Sequence, residues 1–221
     1  MFDSKEPNEV DFISRRMRMV DEQLQPRGIT DSAVLAAMRT VPRHEFVPES
    51  QVSEAYHDHP LSIGHEQTIS QPYIVASMTQ ELQLDRDSIV LEIGTGCGYQ
   101  TAVLAEIVRH VYSIEFIPEL LRDANDRLER LGYDNVTSMS GDGSFGWAEH
   151  APYDGILVTA AAPSIPPALL SQLAEGGRMC IPLAMSDYSQ ELFLVKKSDG
   201  RITRKSLYAV RFVLLRGSFE G

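Results

Sequence analysis

Cysteine is nearly absent: Cys97 and Cys180 are the only two in 221 residues, and they show no C-x-x-C spacing. Such a chain is not a disulfide scaffold. One bridge is conceivable, but nothing demands it, so a reducing compartment is the expected setting. Long apolar runs are missing too; none approaches the roughly 20 residues of a membrane-spanning helix. The first residues are polar and partly acidic, without the basic stretch and apolar run of a secretory signal. The cytoplasm is therefore the expected location. Positive charge is in short supply, with 20 Lys and Arg against 31 Asp and Glu and a net charge of −11. That balance disfavours a general grip on nucleic acid phosphates or anionic lipid, and leaves protein or peptide substrates open. Repeats and low-complexity tracts are absent, and 43% of the residues are hydrophobic, as in a compact globular protein.

The chain changes character near residue 85. Before it, the pattern is mostly helical. Ile13, Met17, Val20 and Leu24 fall at helical spacing until Pro26-Arg27-Gly28. A short helix is expected over 31–39, ending before Val41-Pro42. Residues 45–66 look irregular. Ser70 precedes a third helix with Ile74, Val75, Met78 and Leu82 on one stripe. From Ser88 onward, strands are expected at 88–93, 110–115, 136–140, 154–159 and 177–182. Helices are expected between them at 99–108, 118–131 and 167–173. Such alternation implies a parallel sheet with helices on both faces. Residues 192–197 and 202–215 read as a late antiparallel pair turned by Asp199-Gly200. The expected organisation is a helical cap (1–84), an α/β core (85–185) and closing strands (186–221).

The strongest local signal is Glu92-Ile93-Gly94-Thr95-Gly96-Cys97-Gly98 at a strand-to-helix junction. Glycines there permit a tight turn and close approach of a ligand to backbone. A dinucleotide fingerprint, G-x-G-x-x-G, needs its last glycine at position 99, which is Tyr99. The glycines instead stand at 94, 96 and 98, a pattern that resembles the first motif of Rossmann-like methyltransferases. S-adenosylmethionine has no pyrophosphate, so its loop cradles an amino-acid moiety and a ribose. Glu115, at the end of the second strand, can accept from both ribose hydroxyls. Asp142, between Gly141 and Gly143, can accept from an adenine amino group. Each piece alone also reads as a turn or a helix cap. Cys97 reads as a small space-filler, since no neighbouring cation is evident to lower its pKa.

Beyond the cofactor loop, the chain resembles the protein-L-isoaspartate O-methyltransferases from about Ser14 to Leu215. The most specific segment is Ile63-Gly64-His65-Glu66-Gln67-Thr68-Ile69-Ser70-Gln71-Pro72-Tyr73. It is joined by Val41-Pro42-Arg43-His44-Glu45-Phe46-Val47 and Val210-Arg211-Phe212-Val213. The resemblance implies a Rossmann-like, doubly wound, mostly parallel α/β fold. It also implies methylation of the α-carboxylate of isoaspartyl residues in damaged proteins, from S-adenosylmethionine, with S-adenosylhomocysteine as product. The methyl ester then closes to a succinimide, which begins repair. Ser70 falls at the family's active-site position, where it would orient the substrate carboxylate; as the residue before a helix it also reads as a cap. Gln67, Thr68, Ile69 and Ser70 would line the cofactor together with Glu92, Gly94, Gly96, Gly98, Glu115, Asp142 and Gly143. Val213 would meet the substrate beside Ser70. Glu66 stands where many relatives have glycine, Leu214 where they often have proline, and Cys97 where serine is common.

His57, His59 and His65, with Asp58 and Glu66 among them, raise a metal site, but their spacing matches no recognised ligand pattern and carboxyl methylation needs no metal. No metal is therefore expected. Arg15, Arg16 and Arg18 read as a solvated helix face pairing with nearby acids. Two other functions share these motifs: a same-fold methyltransferase aimed at an aspartate in a dedicated peptide, and a non-catalytic binder of the cofactor.

Overall fold

The computed structural model describes residues 9–218; the first eight residues of the expected polar start and the last three lie outside the described part. A seven-stranded sheet forms the centre. Its strands are β3 (Ile89–Ile93), β4 (His110–Glu115), β5 (Val136–Ser140), β6 (Tyr153–Val158), β7 (Leu173–Ser186), β8 (Ser189–Ser198) and β9 (Arg201–Val210). They stand in the order β5-β4-β3-β6-β7-β8-β9. The first five in that order run parallel, and β8 and β9 close the sheet antiparallel. The chain winds from β3 outward to β5, then crosses back to β6 on the other side of β3. That reversal opens a crevice at the carboxyl ends of β3 and β6, where ligands bind in open α/β sheets.

Strand alternation divides the core in two. Val90, Val111 and Leu157 face one layer, while Leu91, Ile93, Ile114, Ile156 and Val158 face the other. The first layer is thick. It takes in residues of α1 (Glu9–Arg18), α2 (Ser32–Thr40), α3 (Pro72–Leu82) and α4 (Tyr99–Ala105), and Leu128 of α5 (Pro118–Arg130). The second holds Leu169 of α6 (Pro167–Gln172) and Tyr153. Among the described residues, no helix is long and apolar enough to cross a membrane.

Three expectations change. The first helix does not bury Ile13 and Met17, which are 39% and 36% exposed. A wider, π-helical turn at Met19–Leu24 shifts its phase, so Phe12, Arg16, Met19, Val20 and Leu24 turn inward. Arg16 is therefore buried rather than part of a solvated basic face, while Arg15 reaches Ser53 O and Arg18 pairs with Glu22. Second, the segment expected to be irregular contains a hairpin, β1 (Leu61–Gly64) with β2 (Gln67–Ile69). Third, the last strand ends at Val210. Residues 211–218 leave the sheet and run beside Ala161, whose N–H donates to Val213 O and whose carbonyl accepts from Leu215 N, both at 2.8 Å. Val213 therefore belongs to a crossing segment and not to β9.

Candidate active site

The glycine loop leaves β3 and enters α4. Gly94 has φ +97°, and a Cβ there would collide with the Thr159 hydroxyl, so both conformation and space demand glycine. The Thr159 hydroxyl lies 3.0 Å from Ile93 O and 2.8 Å from Gly94 O, tying the loop to the end of β6. Arg127 of α5 donates to Cys97 O at 2.7 Å and fixes the loop's far side. Cations do lie near Cys97, contrary to expectation, but burial outweighs them and pushes its thiol above the ordinary value. The space-filling role of Cys97 stands on that ground.

The loop forms one wall of a cavity at the carboxyl ends of β3 and β4. The hairpin strand β2 and Ser70 form a second wall, Glu115 and Ile117 a third, and the crossing segment at Val213 a fourth. Gln67, Thr68, Ile69, Ser70, Gly94, Gly96, Glu115, Gly143 and Val213 all reach this cavity. Gly143 allows that closeness, since a Cβ there would overlap Ile93.

Glu92, Gly98 and Asp142 are not on its wall. Glu92 shares the face of β3 with Val90, under α4, and is fully buried. Its Oε2 accepts from Thr101 and Ser113, each at 2.6 Å, and Ser113 also bonds Thr95 of the loop. Glu92 thus props the loop from beneath. Burial pushes its carboxyl up to about 8, although the two hydroxyl donors oppose that rise. Gly98 serves helix packing: its missing Cβ faces Ala124 and Leu128 of α5 at 3.4 Å. Asp142 is engaged by the chain itself. Its Oδ1 accepts from the Ser144 N–H and hydroxyl, and its Oδ2 from Ser218 N at 2.6 Å. Burial would raise its carboxyl, but these donors outweigh it and hold the group below its ordinary value.

Glu115 is the carboxylate on the wall. Oε2 accepts from Gly96 N at 2.8 Å and Oε1 from Ile117 N at 2.9 Å. Each oxygen keeps a further acceptor position, so the group can take two neighbouring hydroxyls. Arg216 is the only basic side chain on the wall among the described residues. This donor set suits a ribose and not a pyrophosphate.

Ser70 sits between β2 and α3. The residue capping α3 is Gln71, without a side-chain cap bond, and the Ser70 hydroxyl makes no hydrogen bond among the described residues. The helix start is held from elsewhere: Asp58 accepts from Tyr73 N at 2.8 Å and from Gln71 Nε2 at 3.0 Å, and pairs with Arg27. Fully buried Arg43 donates to Ser70 O at 2.9 Å and to Ala55 O at 2.7 Å. Burial lowers the Arg43 pKa from its ordinary value. The sequence pattern suggests Asp58 only as a neighbour of the histidines and Arg43 only as part of the Val41–Val47 motif; neither support of Ser70 is visible in it. Ser70, Thr68, Thr159 and Val213 also line a second groove, which runs past Arg211 and Phe212. The cavity and this groove meet at Ser70.

Residues 14–220 match the sequence profile of the protein-L-isoaspartate(D-aspartate) O-methyltransferase family. The chain belongs to that family. A protein-L-isoaspartate O-methyltransferase of Picosynechococcus sp. is 53% identical over 209 residues, covering 95% of this chain and 93% of the relative. One of Opitutus terrae is 56% identical over 200 residues, covering 90% of this chain and 86% of the relative. A solved protein-L-isoaspartate O-methyltransferase superposes with a TM-score of 0.84 at 31% identity, over 94% of this chain and 67% of that one. Another, from Plasmodium falciparum and in complex with S-adenosyl-L-homocysteine, gives a TM-score of 0.79 at 28% identity, over 91% of this chain and 98% of that one.

Of the suggested metal residues, His57 and His59 do come together, with Glu54 as a third member. His65 and Glu66 form the hairpin turn instead, and Glu66 pairs with Arg216.

Proposed function

We propose that this protein transfers the methyl group of S-adenosylmethionine to the α-carboxylate of L-isoaspartyl residues in damaged proteins. The observation that carries this reading is the junction at Ser70, where the cavity lined by the glycine loop and Glu115 meets a second groove running past Arg211 and Phe212. When bound, S-adenosylmethionine supplies a methyl group on a sulfonium and leaves as neutral S-adenosylhomocysteine. The residues that would hold it are Glu115 at the ribose, Gly94 and Gly96 beneath it, and Gln67, Thr68 and Ile69 across it.

The acceptor carboxylate is already ionised at neutral pH, so no strong base is needed. What the chain must supply is alignment and a dry pocket. The free Ser70 hydroxyl can donate to one carboxylate oxygen and aim the other into the cavity. Arg43 fixes the Ser70 backbone, and Val213 with Phe212 gives the groove beside Ser70 an apolar wall. Annihilating an anion and a sulfonium favours an apolar surrounding over bulk water. Outside the site, the amide nitrogen that follows the isoaspartyl residue can then attack the ester carbonyl, expel methanol and close the succinimide that enters repair.

Cytoplasmic placement is part of this reading, supported by two buried cysteines that form no bridge. The net charge of −11 supports a protein over a nucleic acid acceptor. The test is methyl transfer to an isoaspartyl peptide and to its aspartyl twin, with wild type and Ser70→Ala. Wild type should methylate the isoaspartyl peptide alone. Ser70→Ala should lose about one hydrogen bond to a charged group, roughly ten- to a hundred-fold in kcat/KM. Its melting temperature should hardly change, since the hydroxyl caps nothing. Equal transfer to both peptides would overturn the substrate assignment, and normal kinetics in the variant would remove Ser70 from the reaction.

A further inference from the structure

Outside the cavity, a group of potential metal ligands lies on the turn after the 3₁₀ segment Glu49–Glu54. The backbone folds back twice there: His57 N donates to Glu54 O and His59 N to His57 O, both at 2.9 Å. These turns gather one ligand atom each from Glu54, His57 and His59 within 4.8 Å of one another. Glu54 Oε2 stands 2.8 Å from His57 Nδ1 and 3.5 Å from His59 Nε2. Metal bonds of about 2.0–2.1 Å in a tetrahedron set ligands about 3.3–3.4 Å apart. Small rotations of these exposed side chains reach that spacing.

His59 supplies the second observation. Its Nδ1 lies 3.1 Å from the Pro60 carbonyl oxygen, which can only accept, so Nδ1 carries the proton. That contact leaves Nε2 facing Glu54 Oε2 at 3.5 Å, the same oxygen that His57 Nδ1 reaches in a 2.8 Å hydrogen bond. A carbonyl holding the far ring nitrogen is also the usual way a ligating imidazole is oriented.

The geometry points to a surface site for a zinc-class divalent ion, held by Glu54, His57 and His59. Two imidazole nitrogens and one carboxylate favour Zn²⁺ and its neighbours over Mg²⁺ or Ca²⁺, which prefer oxygen. The site takes no part in methyl transfer. It does adjoin a structural brace: Asp58, between the two histidines, holds the start of α3 through Tyr73 N and Gln71. An ion bound here stiffens the segment that carries that brace.

The test is equilibrium dialysis and calorimetry with zinc chloride on the full chain, without added histidines, in a non-chelating buffer at pH 7.5. One ion should bind per chain, unaffected by excess Mg²⁺. His57→Ala and His59→Ala should each weaken it by about ten-fold or more, while His65→Ala leaves it unchanged. Zinc should raise the melting temperature of wild type and not of the two variants. Circular dichroism of the variants checks that their folds are intact. Retention of zinc with unchanged affinity in both variants, loss in His65→Ala, or no binding to wild type would overturn the assignment.

Discussion

Glu92→Gln tests the buried carboxyl beneath the glycine loop. The Glu92 carboxyl is pushed from 4.5 up to about 8 by burial. Between those values the folded chain holds a proton that the unfolded chain has lost. Stability from this group is therefore fully present below about pH 4.5 and falls until the pH passes about 8. The rise from 4.5 to about 8 corresponds to roughly 5 kcal/mol, at about 1.4 kcal/mol for each pH unit. Glutamine keeps an oxygen for Thr101 and Ser113 and carries no titrating proton. The variant should match wild type near pH 5 and exceed it near pH 9 by several kcal/mol, approaching that figure. Denaturant unfolding of both proteins at pH 5, 7 and 9 measures the difference directly, because all other titrating groups cancel. Affinity for S-adenosylhomocysteine should not change, since Glu92 props the loop and does not line the cavity. Parallel stability curves would refute the raised pKa. A large loss of cofactor affinity would refute the supporting role.

Glu115→Ala should weaken S-adenosylhomocysteine binding by about 1–3 kcal/mol in calorimetry, through lost charge-assisted hydrogen bonds. An unchanged affinity would exclude Glu115 as the ribose ligand. Glu66→Gly should stabilise the chain by about 0.5–1 kcal/mol, because Glu66 holds φ +61° in the hairpin turn, where an L side chain is strained. The denaturant midpoint reads this out, and a lower midpoint would show that the exposed Arg216 pair matters more than the strain.

What could be read from the sequence was local and periodic. The glycine loop, its flanking strand and helix, and the alternation of strands with amphipathic helices all rest on neighbours in the chain. The hairpin at Leu61–Ile69 went unread because its turn is His65-Glu66, both at positive φ, where Asn-Gly or a glycine pair would have signalled it. The first helix lost its phase because a π-helical turn leaves no mark in apolar spacing. The place of Asp142 after a strand suggests an adenine contact, and its surroundings add what that place does not show. The group that occupies one of its oxygens, Ser218 N, is 76 positions away, and no local pattern announces such a pairing.

The same limit explains why Ser70 was found and its supports were not. A serine before a proline-initiated helix reads locally as a cap, and only the family resemblance suggests that it orients a substrate carboxylate. The decision lies in where the cap's work is done. Asp58, fifteen positions before Tyr73, takes its N–H. Arg43, 27 positions before Ser70, takes the serine carbonyl. Once those backbone groups are satisfied from a distance, the Ser70 hydroxyl has no hydrogen-bond partner among the described residues and lines the junction of cavity and groove. A side chain held rigidly at its backbone and left free at its oxygen is what orientation of a substrate carboxylate requires. On the proposed mechanism, the stretch between α2 and α3, with its β1–β2 hairpin, is the part of the chain that aligns the substrate carboxylate with the cofactor cavity.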